Sequence, residues 1–181
     1  MSKSVSLKFT HFGIFVLNLE VMKRFYTDVL GFYVTDEGQF PNDQNLVFLS
    51  RDPDEHHQII LVDGRADETG FNRINQISFF VDDLAALQDF YRLIVAENVN
   101  DVQPVTHGNA WSLYFRDPED NRIEVYTDTP WYVSQPLRVP LDMELSAQQI
   151  HDETENLCQS LPGFRSRTDW LLSMQNLMSV D

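Results

Sequence analysis

Residues 10–26, THFGIFVLNLEVMKRFY, and residues 75–91, NQISFFVDDLAALQDFY, align without gaps at a constant offset of 65. Phe15 then meets Phe80, Val16 meets Val81, Leu19 meets Leu84, and Phe25-Tyr26 meets Phe90-Tyr91. The same offset places Arg51-Asp52-Pro53 on Arg116-Asp117-Pro118, and removal of one residue places Ile59 on Ile123 and Leu61 on Val125. Two separated segments sharing one offset indicate a duplication, with tandem modules of about 60 residues each.

Both copies read alike. Residues 9–17 are aromatic, apolar and β-branched, as a strand requires. Residues 19–30 place Met22, Phe25, Val29 and Leu30 at helical spacing, with Asn18 suited to cap the start and Gly31 the end. Short extended runs follow at Phe32–Thr35, Leu46–Ser50 and Gln58–Val62. The second copy offers a strand at Ile77–Val81, a helix near Leu84–Glu97, and strands at Trp111–Arg116 and Arg122–Thr127, with Asp-Pro turns at matching places. The predicted unit is βαβββ, present twice, with bounds of about 8–66 and 72–128 inside one domain over 1–128.

Residues 129–181 lie outside the repeat. Pro130, Pro136 and Pro140 predict an extended arm, and Ser146 with Gln149 has the pattern of a capping box opening a helix. Ile150, Leu157, Cys158 and Leu161 form one apolar stripe, and Trp170, Leu171, Met174, Leu177 and Met178 a second after the Pro162-Gly163 break. Such stripes are expected to bury against the modules or across a dimer.

Charge narrows the function. Asp and Glu number 28 against 13 Lys and Arg, a net charge of -15, so no basic surface exists to neutralise phosphates and nucleic-acid binding is not expected. An anionic membrane surface would repel the chain, and no apolar run approaches the roughly 18 residues of a membrane span. The N-terminal MSKSVSLKFT lacks an apolar signal-peptide core, which makes cytoplasmic location the expectation. One cysteine, Cys158, permits neither an internal disulfide nor a Cys-rich zinc site.

The chemistry-bearing residues fall on the repeat. His11 and Gln76 are equivalent positions of the two first strands, each a polar group among Phe, Ile and Val. By strand alternation His11 shares a face with Gly13 and Phe15, and Gln76 with Ser78 and Phe80. Glu124 lies mid-strand in Arg122-Ile-Glu-Val-Tyr126, where an unpaired buried carboxylate would cost several kcal/mol. Its counterpart in the first module is Ile60, so the candidate metal set is asymmetric: His11, Gln76 and Glu124. His56 and His57 end an acidic turn and are expected to enter a strand, whose alternation lets at most one face the site. His107 opens HGNAWSLYF beside Gly108, and Tyr114 stands on the strand before that of Glu124; both residue types suit proton transfer and hydrogen bonding to an oxyanion. His151 reads as a surface residue of the tail.

Duplicated βαβββ modules, His11, Glu124 and the run Tyr114-Phe-Arg-Asp-Pro-Glu-Asp-Asn-Arg-Ile-Glu124 resemble the vicinal oxygen chelate superfamily, which includes glyoxalase I, bleomycin-resistance proteins and extradiol dioxygenases. Glu55-His56-His57, the Thr106-His107-Gly108 turn and Tyr114 are most similar to extradiol dioxygenases of the catechol 2,3-dioxygenase type. The resemblance spans residues 8–128 or so. It implies an α+β fold in which the two modules form a curved mixed β-sheet around a metal cleft, followed here by a C-terminal helical extension.

It also implies iron(II) held by two His and one carboxylate, with open positions for catecholate and dioxygen. The first His falls on His11 and the carboxylate on Glu124. The second falls on Gln76, whose amide oxygen is a harder, weaker ligand than imidazole, so Mn, Zn or Ni also come into view. Glyoxalase I-like proteins do use Gln as a ligand, but they add a carboxylate where this chain has Ile60. By the same resemblance His57 is the acid/base histidine, Tyr114 hydrogen-bonds near the metal and His107 faces the substrate. The expected activity is metal-dependent ring cleavage of a catechol-type aromatic substrate with dioxygen. Alternatives are a glyoxalase-like lyase or isomerase acting on an oxygenated substrate, or a non-catalytic small-molecule-binding protein, in each case as a homodimer.

Overall fold

A computed structural model describes residues 9–40, 43–66 and 74–178. Residues 8 and 72, which open the two expected modules, and the ends 1–7 and 179–181 lie outside the described residues. The chain divides into two compact units, Met1–Asn72 and Arg73–Asp181. The tail therefore belongs with the second module, where the sequence treats it as an appendage.

The first unit runs β1 (Phe12–Val16), α1 (Leu19–Arg24) continued by a π-helical turn (Phe25–Val29), β2 (Tyr33–Gln39), β3 (Asn45–Ser50) and β4 (Ile59–Asp63). Asn18 caps α1 through its side chain, which accepts from the Val21 N–H, and Gly31 follows at φ +69°. The sheet order is β1-β4-β3-β2, with β1 and β4 parallel and the other pairs antiparallel. Alternation along β1 sends Ile14 and Val16 inward, where the core includes Met22, Tyr26, Leu49, Ile59 and Leu61, while Gly13 and Phe15 stay on the exposed face.

The second unit repeats the pattern with β5 (Ile77–Phe80), α2 (Leu84–Ala96), β6 (Asn100–Thr106), β7 (Ala110–Arg116) and β8 (Arg122–Asp128). Asp83 caps α2 by accepting from the Ala86 N–H. The tail adds β9 (Trp131–Tyr132), β10 (Val139–Pro140), α3 (Ala147–Gln159), β11 (Arg165–Ser166) and α4 (Arg167–Met178). The sheet order is β10-β6-β7-β8-β5, again with one parallel pair, β5 and β8. The α+β class and mixed pairing agree with the sequence, and each module carries its own sheet.

Strand pairing refines the repeat. Leu49 lies opposite Ile59, whereas Phe115 lies opposite Ile123, so the last hairpin loop is two residues longer in the first unit. Phe48 opposite Ile60 is thus the structural counterpart of Tyr114 opposite Glu124, one step off the constant sequence offset. The longer loop also changes the His pair. β4 begins at Ile59, so His56 and His57 lie before the strand and the alternation expected of them does not apply.

The expected capping box forms at α3, whose Ile150, Thr154 and Cys158 are buried. Trp111 Nε1 donates to Thr154 Oγ1 at 2.8 Å, tying α3 to β7, and Gln88 Nε2 donates to the carbonyls of Met143 and Leu145, tying the arm to α2. The α4 stripe behaves differently from the burial expected of it. Trp170 stacks on Tyr132 at 5.3 Å, yet α4 buries no residue fully, and Leu172, Leu177 and Met178 are exposed. Among the described residues no helix is long and apolar enough to cross a membrane.

Candidate functional site

Register builds a polar row across the sheet of the second unit. Ser78 on β5 pairs with Glu124 on β8, Glu124 with Tyr114 on β7, and Tyr114 with Gln103 on β6. Because side chains alternate, all four point to one face, while their neighbours Ile77, Ile123 and Phe115 pack inward. The next row along this face holds Phe80 and Tyr126, whose rings meet edge to face at 5.5 Å. On the other side lie Arg122 and Arg116, directly opposite each other.

Glu124 is 7% exposed. Its Oε2 accepts from Gln76 Nε2 at 2.8 Å and from Ser78 Oγ at 2.6 Å, and Gln76 Nε2 also lies 3.1 Å from Ser78 Oγ. Tyr114 stands directly opposite Glu124 on the neighbouring strand. Both hydrogen-bond partners of the carboxylate are neutral. Among the described residues no Lys, Arg or His lies within ion-pairing distance of this carboxylate. A buried anion served only by neutral donors is a place for a cation, and the donor chemistry fits: a carboxylate with an adjacent amide that can turn its oxygen inward. Among the described residues no three of His, Cys, Asp and Glu group together as metal ligands.

Tyr114 is 6% exposed, and burial, with the Glu124 carboxylate adding to it, pushes its phenol well above the ordinary range. It stays protonated and acts as a donor. His107 Nε2 stands 3.0 Å from the Tyr114 hydroxyl, and His107 Nδ1 stands 2.5 Å from the Leu137 carbonyl. A carbonyl only accepts, so Nδ1 carries hydrogen and Nε2 faces the Tyr114 hydroxyl. Gly108 at φ +75° makes this turn possible, because a Cβ there would stand 2.5 Å from a Val133 methyl carbon.

In the first unit, His11 lies just before β1 with Nδ1 3.0 Å from Thr10 Oγ1. Its ring centroid is 4.3 Å from that of His57. His57 Nδ1 meets His56 Nδ1 at 2.9 Å, and both rings pack on Phe48. Burial, then the nearby His11 and His56, hold His57 below the usual histidine value, which keeps it unprotonated and able to accept a proton. Both His56 and His57 therefore reach the same aromatic neighbour, in place of the opposed orientations a strand would impose.

Three residues were not singled out by sequence: Ser78 follows from alternation once Gln76 is fixed, whereas Gln103 and Arg138 are brought to Tyr114 by register and by the arm. Arg122, which the sequence offers as an ion-pair partner for Glu124, lies over the Tyr114 ring instead. His151, read as a surface residue, packs 4.7 Å from Trp131 and lines a separate pocket of about 550 Å3 with Trp111, Leu84 and Asp128.

Residues 8–125 match the glyoxalase/bleomycin resistance protein/dioxygenase superfamily. The chain belongs to this family. Within the superfamily it is 26% identical over 160 residues to biphenyl-2,3-diol 1,2-dioxygenase 2 of Rhodococcus globerulus, covering 79% of this chain and 81% of that protein. Biphenyl-2,3-diol 1,2-dioxygenase 3 of the same organism is 30% identical over 130 residues, covering 69% of this chain and 65% of that one. Among solved structures, a glyoxalase/bleomycin resistance protein/dioxygenase domain from Frankia sp. EAN1pec superposes with a TM-score of 0.58 at 20% identity, covering 70% of this chain and all of that one. The trypanothione-dependent glyoxalase I of Leishmania major gives 0.55 at 22% identity, covering 67% and 87%. These likenesses establish the superfamily fold and leave the reaction to the site.

Proposed function

We propose that this protein is a metal-dependent extradiol dioxygenase-like enzyme that cleaves a catechol-type ring with dioxygen, using a divalent ion, iron(II) foremost, held by His11, Gln76 and Glu124. The observation that carries the reading is Glu124, a buried carboxylate in a polar row with no cationic partner among the described residues. The two dioxygenase relatives support the same reaction class. Bound iron(II) would supply a Lewis-acid centre and a site for dioxygen.

The chain's own groups do the rest. Gln76 turns its amide so that Oε1 replaces Nε2, while Ser78 keeps its hydrogen bond to Glu124. His57, held neutral, accepts the catechol proton. The Tyr114 hydroxyl stands beside the oxygen that gains charge, and His107, anchored on the Leu137 carbonyl, holds that hydroxyl in place. Phe80 and Tyr126 offer an aromatic wall for the ring.

The test is elemental analysis of protein purified without chelator, followed by anaerobic iron(II) loading and oxygen uptake with a catechol panel. Stoichiometric metal and oxygen consumption are expected, both lost in Glu124→Ala. Metal binding with substrate conversion but no oxygen uptake would favour a lyase or isomerase, the reading to which the amide of Gln76 lends weight. We further propose a homodimer, supported by the exposed Leu172, Leu177 and Met178 of α4 and tested by sedimentation, and a cytoplasmic location, tested by cell fractionation.

A further inference from the structure

We infer that the face carrying Glu124 also holds an anion subsite, built from Arg122 and Arg138, and that the preferred substrate is a catechol bearing a carboxylate on a short side arm. The inference rests on the catechol reading above and adds the substituent.

Arg122 stands directly opposite Arg116 across β7 and β8, a like-charge pair that is unfavourable by itself. Arg116 is compensated, with Nε 3.3 Å from Asp101 Oδ2 and 3.6 Å from Asp120 Oδ1. Arg122 is not: among the described residues it has no carboxylate within ion-pairing distance. Its Cζ lies 4.2 Å from the centroid of the Tyr114 ring. Arg138 lies over the same ring at 5.4 Å, and it donates to Gln103 Oε1 at 2.7 Å, again with no carboxylate partner among the described residues. In a chain where Asp and Glu outnumber Lys and Arg 28 to 13, two guanidiniums gathered on one tyrosine, neither of them in an ion pair among the described residues, stand apart.

The geometry gives them a use. A guanidinium stacked on an aromatic face keeps its N–H edge free, and that edge matches a carboxylate in two parallel hydrogen bonds. Arg122 is two residues before Glu124 on the same strand and the same face, roughly 7 Å away along the strand. A ring whose vicinal oxygens approach Glu124 would place a carboxylate there if it carried an arm of two or three bonds. Glu124, lacking a cation, and Arg122, lacking an anion, are thus neighbouring unmatched charges that one bifunctional ligand satisfies together.

The probes are a catechol with a two-carbon carboxylate arm, its methyl ester, and the same aryl acid without the ring hydroxyls. Binding is measured by calorimetry under anaerobic conditions, with the protein as isolated and after iron(II) addition. The acid is expected to bind roughly 10-fold or more tightly than the ester, as charge-assisted hydrogen bonds imply. That preference should shrink with added salt and fall to near unity in Arg122→Gln, with Arg122→Lys in between. The salt series on the unaltered protein keeps the test decisive if a variant folds poorly. Equal binding of acid and ester, with the hydroxyls still required, overturns the anion subsite and leaves the catechol reading standing. Arg122-dependent binding of the aryl acid, unaffected by loss of the hydroxyls, supports the subsite and overturns the catechol reading. Binding of none of the three overturns the subsite as well.

Discussion

Gln76 and Ser78 share one oxygen of Glu124, and that sharing decides how the candidate metal set responds to substitution. Imidazole is a better ligand than an amide oxygen for a borderline divalent ion. Gln76→His is therefore expected to raise iron(II) affinity and any ring-cleaving rate, read by anaerobic titration of both proteins. Equal or weaker binding would place Gln76 outside the ligand set. His57→Ala should keep bound metal and lose roughly 10²-fold or more in turnover, the usual worth of general acid–base catalysis. Metal loss in that variant would make His57 a ligand. Strand alternation gives no ground for sparing His56→Ala, since His56 touches both His57 and Phe48.

At the scale of elements, two turns hold the row of functional side chains in register. Gly108 lies where a Cβ would meet Val133, Leu137 and Cys158, at a φ that L residues rarely adopt. Gly108→Ala is expected to cost about 2 kcal/mol or more, measured by denaturant unfolding, and to disturb the His107–Tyr114 contact. The β7–β8 turn is closed by Asp117, which accepts from the Asn121 N–H at 2.9 Å, the Glu119 N–H at 3.0 Å and Asn121 Nδ2 at 2.8 Å. Burial outweighs these bonds and raises the Asp117 carboxyl above its ordinary 3.8. The native state then holds its proton to higher pH than the unfolded chain does. The resulting stability is complete below the unfolded value and is lost as pH rises through the folded one. The stability difference between the protein and Asp117→Asn should accordingly move against the protein as pH rises above 4, and a pH-independent difference would refute the shift.

For the whole molecule, a net charge of -15 means that the folded chain carries considerable self-repulsion. Its thermal midpoint is expected to rise on going from low to moderate sodium chloride, as screening shortens the reach of that repulsion. A midpoint that falls would show that the surface ion pairs, such as Lys23 with Glu37, outweigh it.

The sequence alone determined the duplicated βαβββ order, the caps at Asn18 and Ser146, the shared face of Gln76, Ser78 and Phe80, and the pairing of His11 with Gln76 as repeat equivalents. These are local or periodic properties, set by side-chain alternation and by backbone capping within a few residues. The joining of Gln76, Ser78, Glu124, Tyr114 and Gln103 was decided by register among four strands, which no single segment encodes. The longer loop that carries His56 and His57 off the strand, and the arm that brings Arg138 to Tyr114, were likewise fixed only by tertiary structure. Loop length and long-range packing depend on what each strand meets after folding, and the sequence pattern around these residues does not record it.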